Sequence, residues 1–233
     1  MSLAEALKKS ELFSALDEES LAELRAASRL RKYKKDGVIL VQGDLCEGLA
    51  LVVKGEVAVE VYNPEGDANM VDLLSAGDCV GEELLFDNEV RYPYTVLSCS
   101  TTELYFISRN AISSLLEKEP LFRQAFFRLL STKLLKKYRH IAMLSQKSLR
   151  QKVGCFIREA CVLPDQNEII LPASRELIAK YLAMPRPSFS RELTQMCRDG
   201  ILEVEGRRVR ILDRHKLEQL LIENGKDSPI EET

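Results

Sequence analysis

The residues of this chain that could do chemistry are suited to recognition. Along 186–198, RPSFSRELTQMCR, Phe189, Leu193 and Met196 recur at i, i+4 and i+7 and form one apolar stripe. Pro187, Ser190, Arg191, Thr194 and Arg198 fall on the opposite face. A helix divided in this way buries its stripe and turns guanidinium and hydroxyl groups outward. Guanidinium matches guanine O6 and N7, and hydroxyls reach phosphates or base edges, so the pattern suits a helix in the major groove of duplex DNA. The next segment, ILEVEGRRVRIL (201–212), reads as a two-stranded wing turning at Gly206, with Arg207, Arg208 and Arg210 beyond the turn. From Ser174 to Arg214 there are nine Lys or Arg against six Asp or Glu, a local excess of basic charge in a chain whose formal net charge is −3. That reversal is the electrostatic footprint of a duplex binder. An ordinary amphipathic helix pair is the alternative for the helices alone; the wing and the charge favour DNA.

Other chemistries find little to work with. There is no Gly-rich phosphate loop, nucleophile elbow, HExxH or paired-carboxylate site, so an enzyme is not expected. Glu82 and Glu83 are adjacent and should point apart. The six cysteines (46, 79, 99, 155, 161, 197) include no CxxC pair, and only His140 and His215 could assist them. A structural zinc or iron–sulfur site is therefore not expected, and the thiols read as reduced core fillers. Cys155 and Cys161 lie on opposite sides of a predicted helix, about 240° apart, which excludes a disulfide between them but leaves a single reactive thiol open.

Several elements must position the recognition residues. At 233 residues the chain is long enough for two cores. No apolar run approaches the roughly 20 residues of a membrane helix, and MSLAEALKKSELF lacks a signal-peptide core, so a cytoplasmic protein without membrane association is expected. Residues 2–28 read as helical, with Asp17 capping a second helix. From about Leu30 to Ile107, short β-rich runs punctuated by glycine (VILVQ, GLALVVKGEVAVEVY, NMVDLL, DCVGEELLF, YTVLSC, TELYFIS) predict a β-barrel or roll. Val57, Val59 and Val61 alternate, as on a half-buried strand. Pro120 opens a helix without a breaker for about 24 residues, about 36 Å at 1.5 Å per residue. Phe127, Leu130, Leu134, Ile141 and Leu144 fit a heptad seam with Lys137 as a polar intruder, so a second copy should pack there; a helix lying wholly on its own roll is the alternative. The fold class expected is α+β: a sensing β-roll over 1–119, a long dimerisation helix over 120–145, and a winged helix-turn-helix over 146–233.

This order of blocks, with VQGD (41–44), VVKGEVAV (52–59), NPEGD (63–67) and SAGDCVGEELLF (75–86), resembles the catabolite-activator and fumarate–nitrate-reduction (Crp/Fnr) regulators of bacteria over nearly the whole chain. The resemblance implies a homodimeric transcription regulator that binds an inverted repeat of double-stranded DNA, engages RNA polymerase if it activates, and responds to a small effector in the roll. By that resemblance Arg186, Pro187, Ser190 and Arg191 take the base-reading positions, and Ser174, Arg175 and Ser188 the phosphate contacts. Capping and solvent exposure are the plainer roles of that second set. Pro187 stands where many members carry a glutamate that accepts from cytosine, so a different half-site is implied. The wing would bring Arg207 and Arg208.

The effector pocket implied by the same resemblance spans Gly81, Glu82, Phe86, Arg91, Tyr92 and Tyr94, with Lys137 and Tyr138 on the long helix. Glu82 matches the ribose-binding glutamate of members that take cyclic AMP. Arg91 matches the phosphate-binding arginine only after a one-residue shift, and Tyr92-Pro93 replace the arginine–hydroxyl pair. Cyclic AMP is accordingly not the expected effector. Phe86, Tyr92, Tyr94 and Tyr138 could wall a pocket for a small, partly apolar ligand, or fill a core that binds nothing. The iron–sulfur branch uses an N-terminal cysteine cluster, whereas the first cysteine here is Cys46. A heme with His140 or Met70 as axial ligand, a thiol sensor, and a ligand-binding module docking a protein through its winged helix are the competing expectations.

Overall fold

The computed structural model describes residues 7, 10–86, 90–161 and 167–222. The chain divides into two compact units, residues 1–136 and 137–233, and the division falls inside the long helix.

In the first unit, helix α1 (Glu18–Ala26) starts at Asp17, whose carboxylate accepts from the Ser20 N–H at 2.8 Å. The strands that follow are β1 (Ser28–Tyr33), β2 (Val38–Leu40), β3 (Gly48–Lys54), β4 (Glu56–Tyr62), β5 (Ala68–Ser75), β6 (Cys79–Val80), β7 (Thr95–Ser98) and β8 (Thr102–Ser108). They form two four-stranded sheets, ordered β1-β8-β3-β6 and β2-β7-β4-β5, with every pairing antiparallel. Helix α2 (Arg109–Lys118), capped by Ser108, leads into α3 (Pro120–Leu144), whose proline opens the first turn where its missing N–H costs nothing.

The apolar run GLALVVK explains how the unit is layered. Ala50 and Val52 on β3 face the second sheet and pack with Val57, Val59, Leu74, Val96 and Leu104. Leu49, Leu51 and Val53, on the other face, meet Phe13, Ile112, Leu115, Phe122 and Phe126 from the helical segments. Burying a large apolar side chain is worth about 1.5–3 kcal/mol, and β3 contributes to both cores. The half-buried reading of β4 is corrected: Ala58 and Glu60 on its second face are also buried. Alanine is small enough to be covered, and the Glu60 carboxylate accepts the Tyr62 hydroxyl at 3.0 Å.

In the second unit, α4 (Leu149–Ala160) begins with a capping box in which Ser148 and Gln151 satisfy each other's backbone. Strand β9 (Glu168–Ile170), helix α5 (Arg175–Tyr181), helix α6 (Arg186–Arg198), strands β10 (Leu202–Glu205) and β11 (Arg208–Ile211), and helix α7 (Arg214–Ile222) complete it. The wing expected to have two strands has three, in the order β10-β11-β9. Among the described residues, no helix is long and apolar enough to cross a membrane.

Candidate nucleic-acid interface and effector pocket

The nucleic-acid end is built from the buried stripe outward. Phe189, Leu193 and Met196 are essentially inaccessible and anchor α6 in the core of its unit. Arg186, Pro187, Arg191, Thr194 and Arg198 are exposed, and Ser188 and Ser190 are half-exposed. Pro187 sits in the first turn of α6, where no intrahelical donor is lost. Ser188 Oγ accepts from Arg191 at 3.4 Å, a loose contact that leaves the guanidinium available. Ser174 caps α5 by accepting from the Leu177 N–H at 3.3 Å, so the capping role is occupied and only its own hydroxyl proton is left for a phosphate. Arg175 follows it, half-buried. Ala183, at φ 48, turns the chain between the two helices in a conformation uncommon for a residue with a side chain.

The wing arginines are already engaged. Arg207 donates twice to the Leu171 carbonyl, at 2.9 and 2.6 Å. Arg208 and Arg210 each lie 3.3 Å from Glu168, and Arg210 also pairs with Glu203 at 2.9 Å. Glu168 precedes the basic stretch 174–214 and sits on the third strand of the wing. The bare basic wing expected from sequence is thus partly neutralised. Exposed pairs of this kind are worth little individually, yet a phosphate must displace them. Glu168→Gln is accordingly expected to raise affinity for arbitrary duplex DNA several-fold at low salt and to steepen its salt dependence, measured by fluorescence anisotropy; an unchanged slope would mean the wing does not approach phosphates.

Helix α6 is tied to its surroundings at the far end. Asp199 pairs with Arg150 of α4 and accepts from Gln195 at 3.0 Å, which holds its carboxyl below the usual range. At the end of α3, His140 stacks on Tyr181 of α5 with ring centroids 3.9 Å apart, and its Nε2 lies 2.8 Å from the Tyr181 carbonyl oxygen. The imidazole proposed as a heme ligand is thus engaged by the helix-turn-helix, and Met70 is buried on β5.

In the roll, the residues expected to form one pocket do not come together as one. Phe86 is 62% exposed and meets Phe126 edge-on at 6.1 Å. Tyr92 and Tyr94 lie inside the inter-sheet core with rings 5.8 Å apart; Tyr94 is filling, while Tyr92 also edges a cavity lined by Ile39, Leu45 and Phe106, away from Phe86. Tyr94 donates to Glu83 at 2.8 Å; burial and that carboxylate push its phenol up, keeping it protonated. Arg91 donates to the Gly43 carbonyl at 2.7 Å instead of facing a phosphate. Lys137 and Tyr138 are both exposed. Gly81, at φ 87, makes the left-handed turn that carries the chain from β6 into a 3₁₀ turn (Glu82–Leu84). That turn settles the Glu82–Glu83 pair: Glu82 goes inward and is buried, while Glu83 is exposed.

What Glu82 meets was missed at the sequence level. Lys133 of α3 places Nζ 2.5 Å from Glu82 Oε1 and donates to the Cys79 carbonyl at 2.5 Å. One turn on, Lys136 reaches Asp72 at 2.7 Å. The signal lay in spacing: Phe122, Phe126, Leu129, Lys133 and Lys136 recur every four and three residues on the face of α3 that packs on the roll.

Cys46, Cys79 and Cys155 are buried and Cys99, Cys161 and Cys197 half-buried. Cys161 is the residue at which α4 ends rather than part of the helix. Burial pushes the thiols of Cys155, Cys161 and Cys197 up, and Cys99 to about 11, which disfavours the reactive thiolate.

Comparison with known proteins agrees with this architecture. Residues 30–119 match the model of the cyclic nucleotide-binding domain, and 132–220 that of the Crp-like helix-turn-helix domain. The chain is 26% identical over 221 residues to the transcriptional activator protein FnrL of Cereibacter sphaeroides, covering 91% of the chain and 87% of that protein. Among solved structures it resembles a CooA variant from Carboxydothermus hydrogenoformans (TM-score 0.72, 22% identity, 88% of this chain and 92% of that one). It also resembles FixK2 from Bradyrhizobium japonicum (TM-score 0.68, 22% identity, 83% and 96%). These likenesses at low identity establish the fold.

Proposed function

The chain belongs to the Crp/Fnr family of transcription regulators, and from that premise we propose that it binds an inverted-repeat operator as a homodimer in the cytoplasm, under control of the roll by something other than a cyclic nucleotide. As such a regulator, with an effector-binding domain and a DNA-binding helix-turn-helix, it is not an enzyme. The observation that carries the dimer is the outer face of α3. Phe127, Leu134, Tyr138 and Ile141 are all exposed, Leu134 to 53%, and fall within about 60° of one another around the helix. Such a strip on a helix this long is the seam of a two-stranded pair. The seam differs from the expected one in three places: Leu130 turns toward its own core, Leu144 is half-buried and falls outside the strip, and Tyr138 takes the place on the seam that Lys137 was expected to interrupt.

The reading of the effector rests on charge. A cyclic phosphate needs a cation inside the roll, and the candidate Arg91 is spent on a carbonyl. Among the described residues, the charged side chains that the roll pairs with α3 are the carboxylates of Glu82 and Asp72.

Selection from a random duplex library with the purified protein, in moderate salt, tests the function. The expected result is an inverted repeat with half-sites one helical turn apart, about 10 base pairs between centres, and affinity falling steeply with salt. Binding that yields no consensus and no salt dependence would favour a winged helix that docks a protein.

A further inference from the structure

The inner face of α3 changes character partway along. Phe122 and Phe126 are buried in the helical core and Leu129 packs beside them; the next two positions of the same stripe are Lys133 and Lys136. The roll changes in step, because Asp72 shares its face of β5 with Leu74 of the inter-sheet core, and Glu82 is only 2% exposed. Lysines replace apolar residues where carboxylates replace apolar partners, which is complementarity rather than coincidence of surface charge.

The Glu82 site is built for a compact cation. One carboxylate oxygen takes the Lys133 ammonium at 2.5 Å, and the same ammonium donates to the Cys79 carbonyl. The other carboxylate oxygen is buried and has no hydrogen-bond partner. Arg109, the nearest arginine in sequence along the following helix, donates to the Leu84 carbonyl at 3.1 Å, and Arg91 to that of Gly43. A carboxylate removed from water without a counter-charge is costly, and a lone buried ammonium equally so. Burial pushes the Glu82 carboxyl up, against the pull of Lys133. Burial is the largest influence on the Lys133 ammonium and presses its pKa down, but the negative groups beside it, Glu82 chief among them, together hold it above the ordinary range.

We propose that the inner site of the roll is an alkylammonium site whose resident ligand is the Lys133 side chain of the same chain. The long helix is thereby held on the roll by a built-in ligand, reinforced one turn on by the Lys136–Asp72 pair. Resting protein needs no added small molecule to keep this stretch of helix seated, and an anionic ligand meets like charge at Glu82. This deepens the reading of the roll as the regulatory unit and rests on it.

Lys133→Ala, in the full-length protein, leaves the acid without its cation. Its melting temperature should fall by on the order of 10 °C. Ethylammonium chloride should restore part of that loss saturably, whereas tetramethylammonium chloride, which carries the charge but no N–H donor, should not. Wild type should respond equally to both salts. A Lys133→Ala protein as stable as wild type, or one that does not distinguish the two cations, overturns the proposal. If Lys133→Ala proves insoluble, the neutral pair Glu82→Gln with Lys133→Met decides: recovery of soluble folded protein locates the fault in the uncompensated acid, and failure to recover overturns the proposal. Melting needs no DNA, so a negative result here leaves operator binding standing, and a failed operator selection leaves this site standing.

Discussion

Arg191→Ala is expected to weaken binding to the selected operator by at least about thirty-fold while leaving the protein folded and dimeric. Arg191 is exposed on the face of α6 opposite the buried stripe, and its side chain makes a loose 3.4 Å bond to Ser188, so the substitution removes little from the free protein. A bidentate guanine contact is worth about 1–3 kcal/mol of discrimination, and an inverted repeat loses it in both half-sites. Affinity for a scrambled duplex should fall far less, since only one cation per protomer is lost from the phosphate field. Anisotropy with both duplexes, beside sedimentation of the free protein, reads all three quantities. Retained preference for the operator would mean that another residue reads the base.

Leu134→Glu is expected to dissociate the protein into folded monomers. The residue is largely exposed in the protomer, so the substitution should change the stability of one chain by no more than about 0.5 kcal/mol. Placed in a two-stranded seam, the carboxylate loses its water on both copies. That penalty is roughly 3 kcal/mol or more, over a hundred-fold in the dimer Kd. Operator affinity should drop with it, because each helix-turn-helix must then find its half-site independently. Leu130→Glu makes the contrast: Leu130 packs against its own core, so that change should lower the melting temperature. If Leu134→Glu sediments as a dimer, the outer face of α3 is not the seam.

How far the sequence could be read depended on the range of the interaction. The recognition helix was legible because Phe189, Leu193 and Met196 lie within eight residues and the helical period alone sorts inside from outside. The seam was legible at Phe127, Leu134 and Ile141 but not at Leu130. Helix α3 is apolar on two faces, one for its own roll, and a heptad fitted to such a helix drifts between them. The third strand of the wing, Glu168–Ile170, was not legible as part of it because its partner β11 lies far along the chain. The roll site was the least legible. Aromatic residues beside a glycine turn look like a pocket, and nothing local reveals that Tyr92 and Tyr94 turn into the core. The spacing along α3 puts Lys133 on the inner face, but it does not name Glu82 as the partner, since that pairing exists only once the helix lies on the sheet.

Strand β3 ties these observations to how the molecule comes apart. Its alternate residues belong to two cores, so it is the common wall of the helical layer and the space between the sheets. A layer sharing a wall with its neighbour cannot open alone: stripping the helices from Leu49, Leu51 and Val53 loosens the strand that Ala50 and Val52 also need. Strand β6 is hydrogen-bonded to that wall, and it is a β6 carbonyl that Lys133 grips. Opening events that release the long helix are therefore coupled to loss of order in the roll as a whole, and the first unit behaves as one cooperative block rather than a barrel with a detachable lid.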